Sequence, residues 1–142
     1  MRQVFAVGIG GFLGAASRYG VGLWIPAAGG FPIGTLAINL LGSLFLAWFF
    51  TVTLTRITVH PHHKLAIGTG FTGAFTTFSA FSVETLGLME QARYGLALSY
   101  VLASLLGGIG LAAIGVRLAA AVKPTSQEQE QVNGKGKGDA NG

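Results

Sequence analysis

The stretch GFTGAFTTFSAF, Gly70–Phe81, carries four phenylalanines (Phe71, Phe75, Phe78, Phe81), four hydroxyls (Thr72, Thr76, Thr77, Ser79) and two glycines. A polar loop has no use for so many rings, and an apolar core has little use for so many hydroxyls. The flanks show where the stretch lies. From Leu65 to Val83 no ionisable residue occurs, and the first charge beyond is Glu84. Such a run approaches the ~20 apolar residues that a helix needs to cross a bilayer.

The rest of the chain has the same character. Of its 142 residues 51% are hydrophobic and 10% charged, against roughly 25% charged in an ordinary soluble domain. Ile33–Thr55 and Tyr94–Val116 are free of charge, and Val4–Ile25 is interrupted only by Arg18. Arg2 followed by Val4–Ser17 has the outline of a signal peptide, but three further apolar segments make it the first membrane span. Four spans result, at about 3–25, 33–56, 64–90 and 94–121, forming one transmembrane unit over residues 1–122. The remaining residues, 123–142, are rich in Gln, Glu, Gly and Lys and are expected to form a disordered polar tail. The fold class is therefore an all-α membrane protein of four transmembrane helices.

Within that frame the opening stretch becomes a helix interrupted at membrane depth. Gly70, Thr72, Gly73, Thr76 and Thr77 have low helix propensity, glycine costing about 1 kcal/mol relative to alanine. Unwinding inside a bilayer is tolerated only where the freed backbone is buried in protein, lines water or binds an ion. Interrupted helices of this kind hold cations on released carbonyls and anions at half-helix N-termini. The segment divides into a break at Gly73–Thr76 and a wall at Thr77–Phe81. Phe78 and Phe81 share a face there, and the electropositive edge of a phenylalanine ring can face an anion.

Polar residues elsewhere in the spans add to this picture, since each needs a partner or a watery cavity. Asn39 lies in the middle of the second span, either joining helices or offering an N–H to an ion. Tyr100 and Ser104 are four apart on the fourth span and form a short polar rail. Arg18 is four residues after Gly14, on the glycine face, where it either snorkels to the interface or faces a vestibule that attracts anions. The pairs Gly10/Gly14, Ala103/Gly107 and Ser104/Gly108 predict close helix packing.

Other chemistry finds no support. Cysteine is absent, which excludes disulfides and thiolate metal sites. His60, His62 and His63 lack a carboxylate nearby and read as a solvated loop. No catalytic triad spacing, Gly-rich phosphate loop or intramembrane carboxylate pair occurs, so the chain is read as a non-enzyme. The net charge of +4 is spread over single basic residues, with no stripe that would bind nucleic acid.

The segments GGFLGAASRY (Gly10–Tyr19), GTLAINLLGS (Gly34–Ser43) and GFTGAFTTFSAFSVE (Gly70–Glu84) resemble, in order and spacing, the small fluoride channel family known as Fluc or the CrcB proteins. The resemblance extends over residues 3–120. It implies an antiparallel dimer in the bacterial plasma or inner membrane that passively exports fluoride and so lowers its cytoplasmic concentration and toxicity. It implies a structural sodium ion on the dimer axis, held by the backbone carbonyls of Gly73 and Thr76. It assigns the ring edges of Phe78 and Phe81 to fluoride, with Asn39, Thr77, Ser79, Tyr100 and Ser104 as polar lining. Arg18 and Glu84 also match family positions, at the vestibule or the interface. The rival reading, a small four-helix proton-coupled multidrug exporter, calls for a carboxylate in the first span, and none is there.

The charges bear on orientation. Arg2, Arg56, Lys64, Arg117 and Lys123 fall on the side of the termini, while Arg93 falls opposite, with Arg18 directed toward it. This bias predicts cytoplasmic termini. A chain of fixed orientation would need a paralogue of opposite orientation to build an antiparallel pair, whereas a chain inserting both ways would pair with itself.

Overall fold

The computed structural model describes residues 2–25 and 30–122; the expected tail, with Pro26 and Gly29 of the first connection, lies outside the described residues. Helix α1 is Arg2–Trp24, α2 is Ile33–Thr55 and α6 is Tyr94–Ala120. These three are long and apolar enough to cross a membrane. Between α2 and α6 the chain crosses in pieces: α3 (Pro61–Lys64), a π-helical segment (Leu65–Thr72), α4 (Gly73–Phe75) and α5 (Phe78–Glu90). No single piece is long enough to span, because the third crossing is interrupted at membrane depth.

The interior combines glycines and threonines with a few aliphatic side chains and rings, among them Ile38, Val52, Leu88, Phe49 and Tyr100, and the outside is greasy. Val4, Phe5, Ile9, Phe12, Leu13, Leu98, Leu102 and Leu106 are among the large apolar side chains left exposed, as a surface facing lipid requires. Without a hydrophobic force between helices in lipid, close backbone approach has to hold them. Glycine provides it for α1. A Cβ at Gly10 would strike the carbonyl of Ala66, one at Gly14 the carbonyl of Phe71, and one at Gly70 the carbonyl of Val7. The α1 helix therefore lies directly on the backbone of the π-helical segment. Gly115 serves α6 likewise, against the carbonyl of Leu44 on α2, while Gly107 abuts the Leu40 side chain. Of the expected pairs, Gly10/Gly14 and Gly107 make such contacts; Gly108 only approaches the Ser43 hydroxyl.

The π-helical segment has no counterpart in the sequence reading. Its end is reinforced by a hydroxyl: Thr72 Oγ1 donates to the Ile67 carbonyl five residues back, at 2.9 Å. The break itself is narrower and later than Gly73–Thr76. Gly73 keeps helical angles, φ −64° and ψ −32°, and the Thr76 N–H still donates to the Thr72 carbonyl at 3.0 Å. Only at Thr76 does ψ swing to 157°, and Thr77 follows at φ −147° and ψ 121°. Two extended residues separate α4 from α5. Thr76 is accommodated because its methyl occupies the place where Gly42 of α2 lacks a side chain.

The turn from α5 to α6 closes with Ala92 in the left-handed region, φ 56°. The Ala92 N–H donates to Met89 and the Arg93 N–H to Leu88, both at 2.9 Å, the pairing of a Schellman C-cap that glycine usually occupies. Below this turn Leu88, Ala97 and Tyr100 form a buried cluster, with Phe31, Leu36, Phe81 and Leu96 packed around it. That cluster is the floor of the candidate site.

Candidate ion pathway

The site begins at the break, where one side chain takes the place of a peptide unit. Asn39 Oδ1 accepts from the Thr77 N–H at 2.8 Å, and Asn39 Nδ2 donates to the Thr77 carbonyl at 2.9 Å. One of the two N–H donors of the amide is used in this way. The α2 helix holds Asn39 at the right height, and Ser43 Oγ donates to the Asn39 carbonyl at 2.9 Å. An unpaired backbone group at this depth would cost about 1–3 kcal/mol, so the two bonds are a large part of what makes the break tolerable.

The same bonds release carbonyls upstream. In a continuous α-helix the Thr77 N–H would bond the Gly73 carbonyl and the Ala80 N–H the Thr76 carbonyl. Here the first donates to Asn39 and the second to Thr77 Oγ1, at 3.2 Å. Gly73 and Thr76 are thereby deprived of their helical donors. Gly73 is exposed, with open space where a side chain would stand. Two carbonyl oxygens with no helical claim suit a hard cation of low charge, which prefers neutral oxygen ligands. These two carbonyls are oxygen donors of the kind a hard cation takes, though by themselves they make only part of a coordination shell.

Downstream, Thr77 caps α5, and its hydroxyl lies 3.2 Å from Ser79 Oγ. The rings follow at helical spacing. Phe78 and Phe81 have centroids 5.8 Å apart, and Phe81 and Tyr100 5.1 Å apart with planes inclined by 48°. Phe81 is half-buried against the Tyr100 cluster, whereas Phe78 is 80% exposed. Tyr100 is fully buried, and Phe31 meets it edge-on at 5.6 Å.

One turn beyond Phe81 lies Glu84. Its two oxygens each accept a hydroxyl at 2.7 Å, Oε1 from Thr35 and Oε2 from Tyr100. Bonds this short are those of hydroxyls to a carboxylate, and they hold the carboxylate in place from α2 and α6. Thr35 is the member of this arrangement that the sequence reading missed. The signal was present, since Thr35, Asn39 and Ser43 recur every four residues along one face of α2.

The remaining candidates divide. Arg18 is half-buried and borders an open cavity of about 780 Å³ that also reaches Thr35, Thr77, Glu84 and Gln91. The cation therefore faces the same water-accessible space as the break and the carboxylate. The expected rail of Tyr100 and Ser104 is not a mutual pair. Tyr100 turns to Glu84, and Ser104 Oγ is buried without a hydrogen-bond partner. Of the loop histidines, His60 caps α3 by accepting from the His62 N–H, at 3.4 Å. They lie at the end of the molecule away from Tyr94 and the α5–α6 turn.

Comparison with known proteins bears on what this arrangement conducts. The family model described as CrcB-like protein, Camphor Resistance (CrcB), matches residues 5–116. A protein of Oceanobacillus iheyensis named fluoride-specific ion channel FluC is 50% identical over 119 residues, covering 84% of this chain and 92% of the relative. Fluoride-specific ion channel FluC 2 of Geobacillus kaustophilus is 54% identical over 106 residues, 73% of this chain and 82% of its own. Fluoride-specific ion channel FluC 1 of Desulfitobacterium hafniense is 46% identical over 110 residues, 78% of this chain and 96% of its own.

Proposed function

The chain belongs to the CrcB-like family, a multi-pass bacterial membrane protein, and on that premise we propose that it is a fluoride-selective channel. Fluoride passes from the cytoplasm outward down its electrochemical gradient, without coupling to another energy source. The observation that carries this reading is the interrupted third crossing. Beyond the break, hydroxyls of Thr77 and Ser79 and the rings of Phe78 and Phe81 follow one another on α5.

Fluoride is small and strongly hydrated, so the path must replace water's hydrogen bonds rather than merely admit the ion. The remaining Asn39 N–H, Thr77, Ser79 and Ser104 supply donors, Tyr100 lines the path with its hydroxyl committed to Glu84, and the electropositive ring edges supply a weaker attraction between them. The buried, partnerless Ser104 hydroxyl supports a lining role. Arg18, facing the 780 Å³ cavity, raises the local anion concentration at its mouth. The Thr35 and Tyr100 hydroxyls hold both oxygens of the Glu84 carboxylate and so fix where that group stands beside the path.

Two further parts belong to this reading. A sodium ion would be held by the Gly73 and Thr76 carbonyls, fixing the released backbone electrostatically. Two ligands are too few for such a cation, and a second subunit placed antiparallel would supply the matching pair. The concentration of Arg2, Arg56, Lys64 and Arg117 at one end favours a chain of fixed orientation, which pairs with a paralogue inserted the other way.

The decisive experiment uses liposomes loaded with fluoride or chloride, with the purified chain reconstituted and a potassium ionophore added to clamp the potential. Fluoride efflux with chloride retained is the expected result. Equal efflux of both overturns the channel reading, and so does no efflux when a paralogue of opposite orientation is reconstituted with the chain. Reporter fusions at the C-terminus that label both membrane faces equally would overturn the fixed orientation alone.

A further inference from the structure

Tyr100 gives its proton to a carboxylate beside the pathway, and the direction of that bond depends on how its ring is turned. Tyr100 Oη donates to Glu84 Oε2 at 2.7 Å. A phenol O–H lies in the plane of its ring, where the oxygen lone pair conjugates, so the ring plane sets the directions in which the proton can be given. That plane turns about a soft, roughly two-fold torsion, and the neighbouring rings decide it. Phe81 is one neighbour, with centroids 5.1 Å apart and planes inclined by 48°. Phe31 is a second, at 5.6 Å and 77°, the edge-to-face geometry that aromatic pairs favour. Phe81 belongs to α5, whereas Phe31 comes from the connection that precedes α2.

The backbone around Phe31 leaves its ring little freedom. Gly30 takes a left-handed φ of 81°, which glycine adopts without steric cost. Pro32 confines the residue before it to extended conformations, and the Ile33 N–H donates to the Phe31 carbonyl at 2.9 Å. Arg93, from the α5–α6 turn, lies against this corner: a Cβ at Gly30 would strike its guanidinium. The Phe31 ring packs on the buried cluster of Leu88, Ala97 and Tyr100. One glycine thus joins the two connections at this end of the molecule, and the ring beside it reaches the tyrosine. Gly30, Thr35 and Glu84 border the same cavity.

We propose that Phe31 is a positioning residue: it fixes the Tyr100 ring so that the hydroxyl stays on Glu84, and the contact of Arg93 with Gly30 keeps Phe31 in place. Without the Tyr100 bond the carboxylate is held from Thr35 alone, through Oε1, and can swing about that single contact. With it, the carboxylate keeps one place beside the path. The consequence for flux rests on the channel reading; the coupling of Phe31 to the Tyr100 hydroxyl does not.

The test uses the full chain in liposomes, its tyrosines isotopically labelled at the ring carbon bonded to oxygen. The infrared C–O band of Tyr100, which reports what its hydroxyl donates to, is identified by its disappearance in Tyr100→Phe. Phe31→Leu keeps an apolar side chain but no ring. It is expected to shift or broaden that band and to slow fluoride efflux about two- to tenfold, the range that an aromatic pair accounts for. Phe31→Trp keeps an aromatic edge toward Tyr100 and is expected to retain the band and most of the flux. An unchanged band in Phe31→Leu overturns the proposal, even where the thermal midpoint falls, because a purely structural role lowers stability and leaves the Tyr100 bond as it was. Efflux from Phe31→Leu at the wild-type rate overturns it as well. Should Phe31→Leu fail to fold, Gly30→Ala decides, since it keeps the ring but strains the corner and displaces Arg93. A shifted band there supports the proposal, and an unchanged one overturns it. A wild type that passes no fluoride defeats the channel reading, and the band still decides the coupling.

Discussion

The two halves of the third crossing are held by opposite means. Up to Phe75 the backbone is fixed by what is missing: Gly10, Gly14 and Gly70 let α1 and the π-helical segment meet carbonyl to backbone. From Thr77 onward the backbone is fixed by what is present, with Asn39, the Thr77 hydroxyl, Thr35 and Tyr100 each making a directed bond. The first half is a fit with no tolerance for volume. The second is a chain of polar contacts, each separately removable. A mutation in the first half should therefore act on folding, and one in the second on conduction.

The sharpest way to break this contrast is to add volume upstream. Gly70→Val places branched carbon against the Val7 carbonyl, where neither backbone can yield. Its cost should lie at the upper end of the ~1–3 kcal/mol of overpacking, or beyond, and no monodisperse protein is expected by size-exclusion chromatography. A folded, conducting Gly70→Val would show that the halves do not differ. Next in size is Asn39→Ala, which leaves the Thr77 N–H and carbonyl without their partners at about 1–3 kcal/mol each. Fluoride efflux should disappear and the thermal midpoint fall by several degrees, so this substitution joins the two classes.

Further downstream the effects should separate. Phe81→Ile keeps an apolar side chain beside Tyr100 and is expected to slow fluoride efflux about tenfold or more, equivalent to ~1.4 kcal/mol at the barrier, with an unchanged elution volume. Efflux at the wild-type rate would exclude a role for the ring. Thr35→Val removes one of the two donors to Glu84 and should cost about 1–2 kcal/mol of local stability. A smaller flux change is expected than for Phe81→Ile. Smallest is Ala92→Gly in the α5–α6 turn. Relief of the left-handed alanine should raise stability by ~0.5–1 kcal/mol after the entropy of glycine is subtracted. Efflux is expected to be unaltered, as read by a thermal melt and a flux assay on the same preparation.

The same division explains what the sequence made legible. Four apolar segments were countable, and a segment combining Gly70, Gly73, Thr76 and Thr77 stood out as a poor helix. Asn39 was conspicuous because an amide is costly at its depth. The π-helical turn left no mark in the composition of Leu65–Thr72; in the fold its Gly70 and Phe71 are seated against α1. The break was expected from Gly73 onward because glycine is the weakest helix former there. In the fold Gly73 remains helical, and the chain opens only where Asn39 offers an alternative partner, at Thr77. Thr35 was overlooked for a related reason. A threonine near a helix start reads as helix chemistry, and its role becomes visible only when α5 brings Glu84 to it.

The amide splice at Thr77 has one more consequence. Joints that move leave their backbone groups to water, which gives way at little cost. Here a rigid side chain on a neighbouring helix grips both sides of the Thr77 residue, so the interruption is a weld instead of a pivot. A pathway laid over a weld has no moving joint at Thr77 that could gate it. The temperature dependence of fluoride flux through it should accordingly be shallow, close to that of diffusion in water, without the steep slope of a protein that must change shape on every cycle.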